Sequence, residues 1–398
     1  MSAWPVQRWA VASLIGARIV YAINWLNIGA LFYLMGPDLN SGVSGLGVLT
    51  ATFYLGVGLM QIPGSILAAV WGPKRTVTTG IIVASLAVLG TSVSQSVLEI
   101  AALRFVVGTG MAMVFAPMVV LTARLLGGRS GLGAGLVNSA FDFGGLFGLF
   151  GWILIAATTG WRPSLLLSGT LGLISALLVI ALVPRDEKNT RFRFSAQKLK
   201  GVLRKKLLIL LGLGALGSNL GSVLISSFMV YYLHASLQET APVAGLVASL
   251  VVILPIATSL WGGRLYDRLR RPRPILVTTG IGMVISLILC SVPLTIAAAL
   301  GSFVGGIAVG PSSTVAFAAA RDMSGVDKEY ESLTIGWVNC ISLTGSVWPP
   351  VVFSFLAATY GYSSAWLGGA ILSLAFLAPL LFGFERSSEN NQDSSVRE

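Results

Sequence analysis

The chain has 398 residues, 55% of them hydrophobic and 10% charged, with a mean hydropathy of +0.84 and a formal net charge of +11. So apolar a composition excludes a soluble domain of this length and makes lipid the natural solvent. The positive balance would point to a nucleic-acid partner only on a folded polar face, and apolar runs of roughly 20 residues, each able to cross a bilayer, leave no room for one.

Twelve membrane spans are predicted, over 8–36, 45–70, 76–95, 97–123, 131–158, 162–184, 207–234, 240–263, 274–294, 296–320, 332–358 and 363–384, so the fold class is an all-α integral membrane protein. If the N-terminus lies in the cytoplasm and the spans alternate, the inward segments hold all 26 Lys and Arg residues except Arg18, Arg104 and Arg162. Both termini are therefore expected on the cytoplasmic side of a plasma or inner membrane. The first apolar run is followed by another and lacks a convincing small-residue cleavage site, which makes it span 1 and not a removed signal peptide.

Span 1 carries Arg18, with Tyr21 and Trp25 following at helical spacing on the same face. Span 2 holds Phe53-Tyr-Leu-Gly56 and Gln61-Ile-Pro63-Gly64, and the loop after it runs from Ser65 to Lys74-Arg75. Span 4 contains Arg104-Phe-Val-Val-Gly108-Thr-Gly110. Span 5 bears Asn138 and Asp142, then Gly144, Gly145, Gly148 and Gly151, small residues that favour close helix packing. Gly160-Trp-Arg-Pro163 leads into span 6. The basic stretch 185–206 divides the spans six and six and should lie against the anionic leaflet.

Span 7 offers Asn219, Ser222, Ser226 and Tyr231. Span 8 ends in Gly263-Arg264-Leu265-Tyr266-Asp267-Arg268-Leu269-Arg270-Arg271. Pro311 in span 10 lacks a backbone donor and is expected to kink the helix. Span 11 holds Gly336-Trp-Val-Asn339 and Gly345. The two cysteines, Cys290 and Cys340, fall inside spans and read as apolar packing, not as a disulfide. The tail 385–398 is polar and expected to be disordered.

A constant shift of 201 residues maps Gly135-Leu-Val-Asn138 and Gly144 onto Gly336-Trp-Val-Asn339 and Gly345, Gly160-Trp161 onto Gly361-Tyr362, and Gly16 onto Gly217. One offset at separated places marks a duplication. Two six-helix bundles, 1–184 and 207–384, are therefore expected as parallel repeats about an axis along the membrane normal.

The run from Gly263 to Arg271 resembles the loop signature of the major facilitator superfamily, with Arg270 in place of its second glycine; Ser65 to Arg75 is a weaker copy, with Ala69 where an acid is usual. The Arg104 to Gly110 run and Gly160-Trp-Arg-Pro163 are similar to further signatures of that family. Gly144-Gly145 lacks the Gly-Pro of its proton-driven drug antiporters, and the span 2 motif is similar to members that carry organic anions. The resemblance implies a secondary transporter whose central cavity lies between the halves, with Asp267 and Arg268 acting in the cytoplasmic gate.

A charge at the bilayer centre costs about 2.5 to 3.5 kcal/mol and must find a partner or a wet cavity. Arg18 and Asp142 both fall about 15 Å into their helices, near the midplane. Adding the offset to Arg18 gives Asn219, and adding it to Asn138 gives Asn339. The resulting expectation is that Arg18 binds an anionic group through its two-pronged fork, with Asn138, Asn219 and Asn339 as neutral partners and Tyr21, Trp25, Ser222 and Tyr231 along the walls. Asp142, paired with Arg18 in the empty protein, would take up a proton when the solute claims the arginine; Arg104 is expected chiefly to hold its helix, with a share in proton coupling.

The function expected is secondary active transport of a small organic anion, a carboxylate, by proton-coupled symport. Export of drugs or other hydrophobic compounds by the same architecture is the alternative, and a membrane sensor or scaffold would need an output domain that the short loops do not provide. A single histidine, no phosphate-binding loop and no clustered metal ligands argue against an enzyme, ATP-driven transport, and any metal or cofactor. The chain is expected to act as a monomer in the lipid bilayer.

Overall fold

The computed structural model describes residues 4–127, 130–185, 196–322 and 331–383, so the expected tail 385–398 and most of the linker lie outside the described residues. The described residues form helices and no strands, and twelve helical stretches are long and apolar enough to cross a membrane. They are Gln7–Asp38, Val43–Ala68, Pro73–Val93, Val97–Leu125, Gly135–Thr159, Trp161–Leu182, Lys206–Ser236, Ala241–Leu269, Pro272–Ser291, Thr295–Asp322, Leu333–Tyr360 and Tyr362–Leu381, spans 1 to 12 in order. Helix is what lipid enforces, because every buried backbone donor and acceptor must be satisfied within its own segment. The chain is a multi-pass membrane protein.

Each half packs in the same way. Span 2 lies on span 4 and span 3 on span 6; in the second half span 8 lies on span 10 and span 9 on span 12. Between the halves, span 1 meets span 7, span 2 meets span 11 and span 5 meets span 8, the pattern a two-fold relation requires. The duplication extends to backbone detail. Gly160 and Gly361 both have φ +84°, with ψ 173° and 165°, a conformation open essentially to glycine alone. Each joins two helices without an intervening loop, its N–H bonded to the carbonyl of Ala156 or Ala357 at 2.9 and 3.2 Å. On the face that carries the basic loops, Lys74 donates to the carbonyl of Ile180 at 2.8 Å and Arg273 to that of Leu381, so a cation from the second loop of each half closes the end of that half's last helix.

Three irregularities depart from the predicted continuous spans. Span 4 is interrupted at Met113 and Val114, between helices Val97–Ala112 and Phe115–Leu125; Pro117 has no N–H to return to Met113. Span 5 contains a π-turn at Phe147–Gly151. Span 11 breaks between Gly345 and Pro349, where Pro349 and Pro350 open the next helix. By contrast span 10 runs unbroken through Pro311, against which Gly262 of span 8 packs so closely that a Cβ there would lie 2.5 Å from the proline Cα.

The halves touch from mid-height to the face opposite the basic loops. Gly29 seats against the Ser226 and Ser227 backbone, the rings of Phe32 and Tyr231 stand 5.3 Å apart and those of Tyr33 and His234 5.2 Å. Gly47 lies against Ser354 and Gly58 against Thr344. This seam closes one face, and the space between the halves lies towards the other.

Candidate functional site

Between the bundles lies a cavity of about 240 Å³, lined from both halves by spans 1, 2, 4, 5, 7, 8, 10 and 11. Arg18 enters it from span 1. Only 5% of the residue is exposed; Nε donates to the Val137 carbonyl of span 5 at 3.3 Å, while Nη1 is buried without a hydrogen-bond partner. Three rings surround the guanidinium, with centroids 4.3 Å away for Tyr21, 4.7 Å for Phe141 and 4.9 Å for Phe115. A cation among π-faces is attracted to them, so the cage fixes the orientation of the fork.

Asn138 and Asp142, one helical turn apart on span 5, line the same cavity. Arg18 and Asp142 share this space without an ion pair within 4.0 Å, in contrast to the pairing expected from sequence; the ion pairs among the described residues lie elsewhere. The second half supplies Asn219, Ser222 and Asn339. Asn219 is fixed from two sides: its Nδ2 donates to Ser342 Oγ at 2.7 Å, and Ser313 Oγ donates to its Oδ1 at 3.2 Å.

Trp25 forms the floor. Its ring meets Phe53 at 4.6 Å and Tyr54 and Phe141 at 5.9 Å, all edge-on, a contiguous aromatic layer. Arg104 lies beyond that layer and does not line the main cavity. It donates to Asn27 Oδ1 at 3.3 Å and to the Trp25 carbonyl at 3.4 Å, and sits 4.3 Å from the Phe53 ring centroid, holding span 4 to span 1. Tyr231 also stands apart, in the closed seam with Phe32.

Asp267 and Arg268 are exposed at the end of span 8 on the basic-loop face. There Arg270 reaches span 10 and pairs with Asp322 at 3.1 Å, and Arg321 bonds the same carboxylate at 2.9 Å. No group of His, Cys, Asp and Glu among the described residues is arranged to hold a metal ion. Sequence reasoning missed Phe115, Phe141, Gln61 and Ser313 along the cavity. Ser313 had a signal, standing two residues after a proline in a polar pair; the phenylalanines, set in apolar runs, had none.

The sequence pattern of the Major Facilitator Superfamily matches residues 14–218 and again 207–398. In fold, the chain is similar to a bacterial homologue of the human lysosomal transporter Spinster in an inward-facing, unoccupied conformation, with TM-score 0.73, 16% identity, and 96% of this chain and 95% of that one covered. It is likewise similar to the nucleoside transporter NupG, with TM-score 0.75, 12% identity and coverage of 95% and 99%. A probable sulfoacetate transporter, SauU of Cupriavidus necator, is 27% identical over 181 residues, a match that spans 45% of this chain and 42% of that protein's length.

Proposed function

The chain belongs to the major facilitator superfamily, and from that premise we propose that it carries a small organic anion, a carboxylate, across a plasma or inner membrane by proton-coupled symport. One observation carries the reading: the Arg18 guanidinium, buried in the cavity between the halves, has an Nη1 with no partner. A fixed cation so placed costs several kcal/mol in lipid unless an anion completes it. The partial similarity to a protein named as a transporter of sulfoacetate, itself a dianion, supports the organic-anion class alone and carries no argument on valence.

In this mechanism the seam of Gly29, Phe32, Tyr33 and Gly47 closes the outer face while solute and protons meet Arg18 from the inner one. Both termini and the basic loops lie in the cytoplasm. A carboxylate pairs with Arg18, and Asp142, which holds no ion pair of its own, binds the coupled proton. Loaded and neutralised, the halves rock about the site, opening the seam and closing the inner face through the span 8 loop, where Asp267 and Arg268 act beside the Arg270–Asp322 pair. Arg104 keeps spans 1 and 4 moving as one body, and a single chain completes the cycle.

The test is uptake of labelled organic acids into proteoliposomes containing the purified protein, with and without an imposed pH gradient. Acid uptake that depends on the gradient and vanishes in Arg18→Ala is expected. Uptake undiminished in an Arg18→Ala protein of native thermal stability would overturn the assignment.

A further inference from the structure

Spans 1 and 7 are copies, yet where the first presents Arg18 the second, at the same offset of 201, presents Asn219. Both line the cavity, and among the described residues that do so Arg18 is the one cation and Asp142 the one anion. The duplication has thus left a charged wall facing a neutral one.

The neutral wall is already arranged. An amide oxygen can accept two hydrogen bonds and an amide nitrogen can donate two. Ser313 occupies one place on Asn219 Oδ1 and Ser342 one on Nδ2, so one acceptor site and one donor site remain. Such a pair suits a group that both gives and receives, a hydroxyl or an amide, and not a carboxylate, which only accepts. The charge count points the same way. One monoanion entering with one proton leaves the guanidinium paired and Asp142 neutral. A second anionic group would lie against neutral side chains, Asn, Ser, Thr and Gln among Val, Leu and aromatic residues, with no second cation to pair it, where an uncompensated charge is strongly disfavoured. The volume of about 240 Å³ lies below the ~300–1,000 Å³ of drug-sized sites and holds a short molecule.

We infer that the solute is a short monoanion whose far end bears a neutral hydroxyl or amide, its charged head on Arg18 and its polar tail on Asn219, and that dianions are excluded. This rests on the anion reading above, and it goes further in assigning valence and polarity.

Binding by thermal shift and uptake into proteoliposomes are measured for 3-hydroxypropionate, glycerate and propionate on one side and for malonate, succinate and sulfoacetate on the other. The native protein is expected to favour the hydroxylated monoanions over every dianion by about tenfold or more, and 3-hydroxypropionate over propionate by about threefold to tenfold, the worth of one neutral hydrogen bond. In Asn219→Leu the 3-hydroxypropionate to propionate ratio should collapse towards one. In Asn219→Arg, which restores a cation to both copies, the preference should turn towards malonate and sulfoacetate. Dianions carried as well as monoanions by the native protein, or a 3-hydroxypropionate to propionate ratio unmoved in an Asn219→Leu protein of native stability, would overturn the inference while leaving Arg18-dependent anion transport intact. No response to any acid would remove the anion reading itself, and this inference with it.

Discussion

Arg18 donates through Nε to the carbonyl of Val137, 119 residues away, at 3.3 Å, so the backbone of span 5 holds the guanidinium by one edge and leaves Nη1 uncommitted. A lysine at this position keeps the charge but cannot make both contacts. In Arg18→Lys the apparent affinity for the transported acid should fall about 10- to 100-fold, the loss of one hydrogen bond to a charged group, with little change in thermal stability. Concentration dependence of uptake in proteoliposomes checks it; an unchanged half-saturation would show that the fork is not used.

Asp142 lines the same cavity without pairing to Arg18, which leaves its carboxyl open to exchange with the cavity. In Asp142→Asn, accumulation driven by a pH gradient should be lost while exchange of internal for external solute persists. Comparing net uptake with counterflow in the same vesicles separates the two, and retained accumulation would remove this residue from the coupling step.

The closed seam is intolerant of bulk. A Cβ at Gly29 would stand 2.5 Å from the Ser226 carbonyl oxygen and 3.2 Å from the Ser227 Cα. Gly29→Val should therefore wedge spans 1 and 7 apart at a cost of about 1 to 3 kcal/mol, or roughly 5- to 150-fold in the balance between closed and open seams. A cysteine at Tyr231, the ring that packs on Phe32, should then react faster with an impermeant maleimide in intact cells, and transport should slow.

Gly160 and Gly361 share a backbone conformation closed to other residues. Gly160→Ala and Gly361→Ala should each lower stability by about 1 to 3 kcal/mol, and by similar amounts. Gly16→Ala, at a helical site with open space around its Cβ, is the matched control and should leave the melting temperature in detergent near native.

The twelve spans were legible because lipid imposes a minimum length on each and offers water to none of their backbone groups. The duplication was legible from Gly160 and Gly361, where only one residue type satisfies the turn. Arg18, Asp142 and Asn219 stood out because polar side chains are costly inside a bilayer, and they do lie along one cavity. What surrounds them did not. Phe115 and Phe141 cage the guanidinium, but an apolar run in a membrane helix has no polar face to reveal which side looks inward. Tyr231 shared a helix with Asn219, yet twelve residues carry it some 18 Å along the axis, out of the cavity and into the seam. The break in span 11 follows from Pro349 and Pro350, but their local effect was masked by a run of residues apolar enough to read as one helix.

A joint of one residue leaves no slack. Because Gly160 alone separates the fifth crossing from the sixth, and Gly361 the eleventh from the twelfth, each pair is tied end to end where it leaves the lipid. A displacement of one of these helices along the membrane normal therefore carries its mate with it.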